Sequence, residues 1–235
     1  MPYFRVVRWA AWSPGLQSHE SWLAWLGAPD LAALDGEGVA PFPELEPMTR
    51  RRLDLLGRAA LQVAFLAQGA KATGPVVFTS RWGEISRSVS LLSQLAKGEM
   101  LSPTAFSLSV HNASSAVYSI ARGDTSNYTA ISAGPCSAAA GVCEALGLLA
   151  EGAKQVLVVS AESQLPEPYR HFEKRSLPLR AWAALLEPGD DLRLDTAPGE
   201  PAPEDGLPPD LAALQVLAGG ADVLRQPGWH WSRHA

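Results

Sequence analysis

The sequence predicts an α/β fold, a layered mixed β-sheet with helices on both of its faces. Three observations carry this. Short apolar runs of strand length alternate with longer segments whose apolar residues recur at helical spacing. The strand candidates are nearly continuous apolar runs, as expected of strands covered on both faces. Of the 235 residues, 47% are hydrophobic and 18% charged, enough for one substantial core and too apolar for a disordered tail.

The first element is a strand from Tyr3 to Ala11, stopped by Ser13-Pro14-Gly15. Ser18 caps a helix to about Trp25, with Trp22, Leu23, Trp25 and Leu26 as its apolar surface. Residues 27–47 are rich in glycine and proline and read as a loop. Thr49 caps a long helix on which Leu53, Leu56, Ala60, Val63, Ala64 and Ala67 keep helical spacing. Pro75 to Thr79 is a short buried strand, and Glu84 to Ala96 a helix carrying Ile85, Val89, Leu92 and Leu95. A mixed stretch from Pro103 leads to a helix with Val110, Ala113, Val117 and Ile120, closed by Gly123. Asn127 to Ser132 is a strand, Gly134-Pro135-Cys136 a sharp turn, and Ser137 to Ala150 a helix of small residues ended by Gly152. Gln155 to Ser160 is the clearest buried strand. Residues 165–179 read as a polar loop, and 181–186 with 191–194 as a strand or hairpin around Pro188-Gly189. From 196 to 210 Pro, Gly, Glu and Asp dominate. This divides the chain into a domain over 1–195 and a linker with a C-terminal segment over 196–235, in which Leu211 to Ala218 forms a short helix.

Several classes are disfavoured. The net charge is −5 and the longest basic block is Arg50-Arg51-Arg52, which argues against nucleic acid as a partner. No apolar run reaches the roughly 18 residues of a membrane span. The chain starts without a charged-then-apolar signal layout. Cys136 and Cys143 on one helix lie roughly 10 Å apart. That is beyond the roughly 7 Å reach of a disulfide, and two free thiols point to a reducing cytoplasm. His and Cys residues lack metal-ligand spacing, and neither Gly-Pro turn is a phosphate loop, so no metal and no resident cofactor is expected.

The chemistry concentrates at Cys136. A side chain on a tight strand-to-helix turn stands at a helix N-terminus, where unpaired N–H groups and the helix dipole favour an anion. A thiol there can act as a nucleophile, and the same helix-terminal N–H groups could stabilise an oxyanion, with Pro135, Ser137 and Ala138 surrounding the candidate acyl site. The small residues after it allow either close helix–sheet packing or room for an acyl chain. The plain alternative is a cysteine packed as a small hydrophobe, which is also the default for Cys143. A thiol needs a base: His111 is the weak candidate, with a capping or interface role as its alternative. His19 reads as solvated, His171 as part of a charged loop, and His230 and His234 as part of a tail that could fold back. Arg50, Arg51 and Arg52, with Arg58, form either a docking patch for an acidic partner or a solvated helix face.

Asn127 to Ser132 through Cys136 and on to Gly152-Ala-Lys-Gln-Val-Leu-Val-Val159 resembles the nucleophile region of β-ketoacyl synthases: strand, cysteine on a turn, small-residue helix, glycine loop, buried strand. Val6 to Trp12 with Ser13-Pro14-Gly15 and the tryptophan helix, Met48 to Arg52, and Ser102-Pro103 through His111-Asn112-Ala113 to Gly123 are similar to successive segments of the same family. The resemblance covers residues 3 to about 195 and implies a thiolase-like single half, since the family has two halves and places two assisting histidines in the half not represented here. Short ketosynthase-like proteins called chain length factors, found with aryl polyene-type products, are the nearest in kind, and many of them lack the cysteine. Pro135 before Cys136 also departs from the family's usual Ala or Thr.

The resemblance implies an accessory subunit for polyketide or fatty-acid-type synthesis, without complete condensing activity of its own. The alternative is an independent Cys136-dependent acyltransferase. Its implied partners are a ketosynthase subunit and an acyl carrier protein, whose phosphopantetheine would be the only prosthetic group involved. The segment preceding the nucleophile strand lies at the family's dimer interface. A lone half would expose a large apolar face, so a homo- or hetero-oligomer is expected, with Leu211, Leu214, Leu217 and the late tryptophans covering part of that face as a lid.

Overall fold

A computed structural model describes residues 2–70, 74–198 and 206–234. Its centre is one eight-stranded mixed sheet. In chain order the strands and helices are β1 (Tyr3–Trp12), α1 (His19–Gly27), α2 (Pro47–Arg52), α3 (Leu55–Gln68), β2 (Val76–Thr79), α4 (Ile85–Ala96), α5 (Pro103–Ser107), α6 (Ala113–Arg122), β3 (Tyr128–Ile131), α7 (Ser137–Ala150), β4 (Val156–Glu162), β5 (Arg180–Pro188), β6 (Leu192–Thr196), α8 (Pro209–Leu217), β7 (Val223–Gln226) and β8 (Trp229–Arg233). The strand order is β3-β2-β4-β5-β1-β6-β8-β7. β2 runs parallel to both β3 and β4, and the remaining pairs are antiparallel.

The apolar strand runs bury both faces. On β4, Val156 and Val158 join one core while Leu157 and Val159 join the other. On β5, Trp182, Ala184 and Leu186 face one way and Ala181, Ala183 and Leu185 the other. The first core is closed by α1, α7 and α8 through Trp22, Trp25, Val142, Leu146 and Leu214. The second is closed by α3 and α6 through Leu61, Ala64, Val117 and Tyr118. This two-sided covering is the expected layered α/β arrangement.

Three expectations change. The long helix capped by Thr49 is two helices: Pro47 opens α2, Leu53 is extended, and the Asp54 side chain caps α3 by accepting from the Gly57 N–H at 2.8 Å. Residues 181–186 and 191–194 are not a hairpin, because β1 lies between β5 and β6. The connection crosses the end of β1 so closely that a Cβ on Gly189 would stand 2.8 Å from the Arg5 side chain.

The third change concerns the C-terminal segment. The compositional boundary at 195 falls within β6, and β6 pairs along its length with β8, from Leu192 opposite Arg233 to Thr196 opposite Trp229. Residues 199–205 of the expected linker lie outside the described residues. Leu211, Leu214, Leu217 and Trp231 are buried in the first core. The leucines of α8 cover part of the sheet's apolar face as expected, while β8, which carries Trp231, is itself a strand of the sheet. Buried indole and aliphatic surface at these four positions contributes roughly 1.5–3 kcal/mol per side chain.

Among the described residues no helix is long and apolar enough to cross a membrane.

Candidate functional site

β3 ends at Ile131, and Ser132 to Cys136 turn the chain sharply into α7. Gly134 takes φ 58°, a left-handed conformation that glycine adopts without cost. Cys136 is the N-cap residue of α7, where the strand-to-helix reading put it. The turn is closed by its own hydrogen bonds. The Cys136 N–H donates to Ala133 O at 3.3 Å, the Ser137 N–H to Gly134 O at 3.3 Å, and the Ser137 hydroxyl to Gly134 O at 2.7 Å while accepting from the Ala133 N–H at 3.0 Å. The N–H groups of Cys136 and Ser137 are therefore spent within the turn, and an oxyanion at the cysteine would have to displace them.

The thiol is half-buried, and its Sγ–H donates to Pro227 O at 3.5 Å. Burial pushes its pKa up, against the lowered value a nucleophile requires. The small residues of α7 serve close packing: a Cβ on Gly141 would meet Thr79 Cγ2 at 2.1 Å, and Ala138 and Ala139 are buried against the sheet. Cys143 is half-buried on the same helix, and both thiols are free.

The histidines do not gather at the thiol. His111 pairs through Nε2 with Ser80 O at 2.9 Å, which assigns the proton to that nitrogen. It packs over Gly83, where a Cβ would stand 2.8 Å from its Cδ2. With Ser80, Glu84 and Ser114 it lines a void of about 20 Å³. His230 sits in β8 opposite Asp195 and Arg225, His234 stacks edge-on to Tyr3, His19 lies against Trp9, and His171 against Phe172. None of the five makes a hydrogen bond with Cys136.

The arginine block is partly consumed inside the chain. Arg50 donates to Pro41 O and Phe42 O at 3.2 and 3.1 Å, and Arg58 to Ala40 O at 2.9 Å, so both hold the 40–42 loop. Arg51 and Arg52 remain exposed.

Two buried carboxyl sites escaped the sequence reading. Glu162, at the end of β4, accepts the Arg81 N–H at 2.7 Å, and burial, with the nearby Asp210 charge, pushes its pKa up to about 8. Beside it Arg180 forms a bidentate pair with Asp210, Nε–Oδ2 2.6 Å and Nη2–Oδ1 2.9 Å. These groups and Pro135 line a cleft of about 390 Å³. Glu84, at the head of α4, is pushed up to about 9 by burial and then by Asp54. The only signal for either was a carboxylate bordering an apolar run.

Among the described residues no group of three or more His, Cys, Asp or Glu could hold a metal. Of the exposed large apolar side chains, Leu92, Leu95, Met100, Phe106, Val110, Ile120 and Tyr128 fall in the stretch of sequence from α4 to β3.

The model of the β-ketoacyl synthase N-terminal domain matches residues 22–232. A structure of a ketosynthase (ApeO) in complex with its chain length factor (ApeC) from Xenorhabdus doucetiae contains a chain 31% identical to this one. It aligns over 99% of this chain and 100% of that one with a TM-score of 0.83. The ishigamide ketosynthase/chain length factor matches at 17% identity and TM-score 0.66, over 82% of this chain and 67% of that one. A β-ketoacyl synthase from Burkholderia phymatum STM815 matches at 14% identity and TM-score 0.59, over 85% and 66%. The last two likenesses are of fold alone. No curated protein matches the chain. The layered sheet, the cysteine at the head of its small-residue helix, the domain match and the full-length likeness agree: the chain belongs to the β-ketoacyl synthase family, through its N-terminal domain.

Proposed function

We propose that the chain is a chain-length-factor-like accessory subunit. It pairs with a ketosynthase and helps shape acyl chains carried on an acyl carrier protein, without completing condensation itself. Aryl polyene or related polyketide products are the class this reading favours. The observation that carries it is the face around β3. β3 is an edge strand of the sheet, its outer side has no partner strand among the described residues, and exposed Tyr128 on β3 and Ile120 on α6, the helix packed beside β3, add apolar surface there. An exposed strand edge beside apolar surface calls for a partner. The two-way full-length match to a chain from a ketosynthase and chain length factor complex supports the choice of partner.

The turn at Cys136 supports the absence of condensing activity, since its thiol and both nearby N–H groups already have partners inside the chain. Acyl transfer through Cys136 is the alternative, and the cysteine's position at the head of α7 is the observation in its favour. Arg51 and Arg52 are the exposed remainder of a carrier-docking patch. Reconstitution with a ketosynthase and a loaded carrier protein separates the readings. Accessory function requires Cys136→Ala to leave product formation unchanged and Ile120→Asp to abolish it; loss of product in Cys136→Ala would favour the acyltransferase.

A further inference from the structure

The β7–β8 turn is held at several points. Gln226 is buried, donates through Nε2 to Pro209 O at 2.7 Å, and accepts from the Trp231 Nε1–H at 3.3 Å. Gly228, at φ 83°, gives its carbonyl to the Ala197 N–H at 3.1 Å. Arg233 donates to Val216 O at 2.8 Å, tying β8 to the end of α8. Between these anchors Pro227 has one backbone polar group to offer, its carbonyl, since proline lacks an N–H. That carbonyl accepts the Cys136 Sγ–H.

We propose that the β7–β8 turn is a built-in cap on Cys136, an autoinhibitory contact that closes the 132–136 turn to acyl transfer. Acylation would require Sγ to lose its proton, form a bond to a thioester carbonyl carbon and expel the carrier's thiol, which leaves with a proton. In this chain the proton is held by Pro227 O, and the carbonyl of an incoming thioester would meet the anchored turn and N–H groups already bonded to Ala133 and Gly134. The inference deepens the accessory reading above, but its test uses this chain alone and does not depend on pairing with a ketosynthase.

The test is the rate of iodoacetamide modification at each cysteine, resolved by peptide mass spectrometry, in the wild-type chain and in Gln226→Ala. Cys143 serves as the internal reference for general loosening. In the folded wild type, Cys136 is expected to react at least about tenfold more slowly than in the urea-unfolded chain. Gln226→Ala should restore most of that rate at Cys136 and leave Cys143 unchanged. Should Gln226→Ala free both thiols, Pro227→Gly, which keeps the carbonyl and the Gln226 anchor but releases the φ that the proline ring fixes, must loosen the turn and free Cys136 alone. A wild-type Cys136 that reacts as fast as in the unfolded chain, or that stays slow in both variants, would overturn the cap. So would an acyl adduct on wild-type Cys136 after incubation with a short-chain N-acetylcysteamine thioester.

Discussion

Arg180 and Asp210 meet in a buried bidentate ion pair that fastens the first residue of β5 to the first turn of α8. The Asp210 carbonyl also accepts the Trp182 indole N–H at 3.0 Å. Removing one partner leaves the other charge buried. Asp210→Ala should therefore cost about 3–5 kcal/mol, measured by urea denaturation. Arg180→Met with Asp210→Leu together should cost much less than the single change, and equal losses would argue that the pair is solvated.

Glu84 and Glu162 give the chain a pH dependence. Both are raised above the ordinary carboxylate value of 4.5, to about 9 and about 8. Each folded carboxyl keeps a proton that the unfolded chain has lost. Their contribution to stability is thus complete below pH 4.5 and disappears as pH rises toward 8 and 9. Glu84→Gln should flatten the stability profile between about pH 6 and about pH 8 by roughly 1.4 kcal/mol per pH unit. Denaturation curves across that range check it, and an unchanged slope would mean that Glu84 is ionised beside Asp54 and Arg87.

Gly141 carries the contact between α7 and β2. A methyl group there collides with the buried, β-branched Thr79. Gly141→Ala should destabilise the chain by about 1–3 kcal/mol, and Thr79→Ser in the same molecule should recover most of the loss. Thermal denaturation of the two single variants and the double variant measures this coupling.

Trp231 is fully buried in the first core, with its indole N–H on Gln226. Trp231→Ala should cost about 3–5 kcal/mol. A mobile tail would show no effect on the denaturation midpoint.

The strands and the longer helices up to residue 196 were legible because each strand run and each helical period is a local signal, whereas the break at Leu53 between α2 and α3 and the short α5 were not. The hairpin of β7 and β8 was not. Trp229-His230-Trp231-Ser232-Arg233 is short and half polar, and only its pairing with β6 makes it a strand. Pro227-Gly228 between the two strands is a turn signal that gained meaning once both flanks were strands. At the candidate site the position of Cys136 was readable from the strand, turn and small-residue helix. Its hydrogen-bond partner was not, because Pro227 arrives from a distant part of the sequence. The same holds for Arg180, Asp210 and Glu162. Nothing local to a charged residue reveals that the fold will bury it beside its counter-ion.

The central claim is that this chain works as one subunit of a pair. Light scattering on the chain co-expressed with a full-length ketosynthase from the same source tests it most directly. The account predicts a single species whose mass is that of the ketosynthase plus 25.0 kDa per copy of this chain, split into its parts by Ile120→Asp. Separate elution of the two wild-type proteins would contradict it.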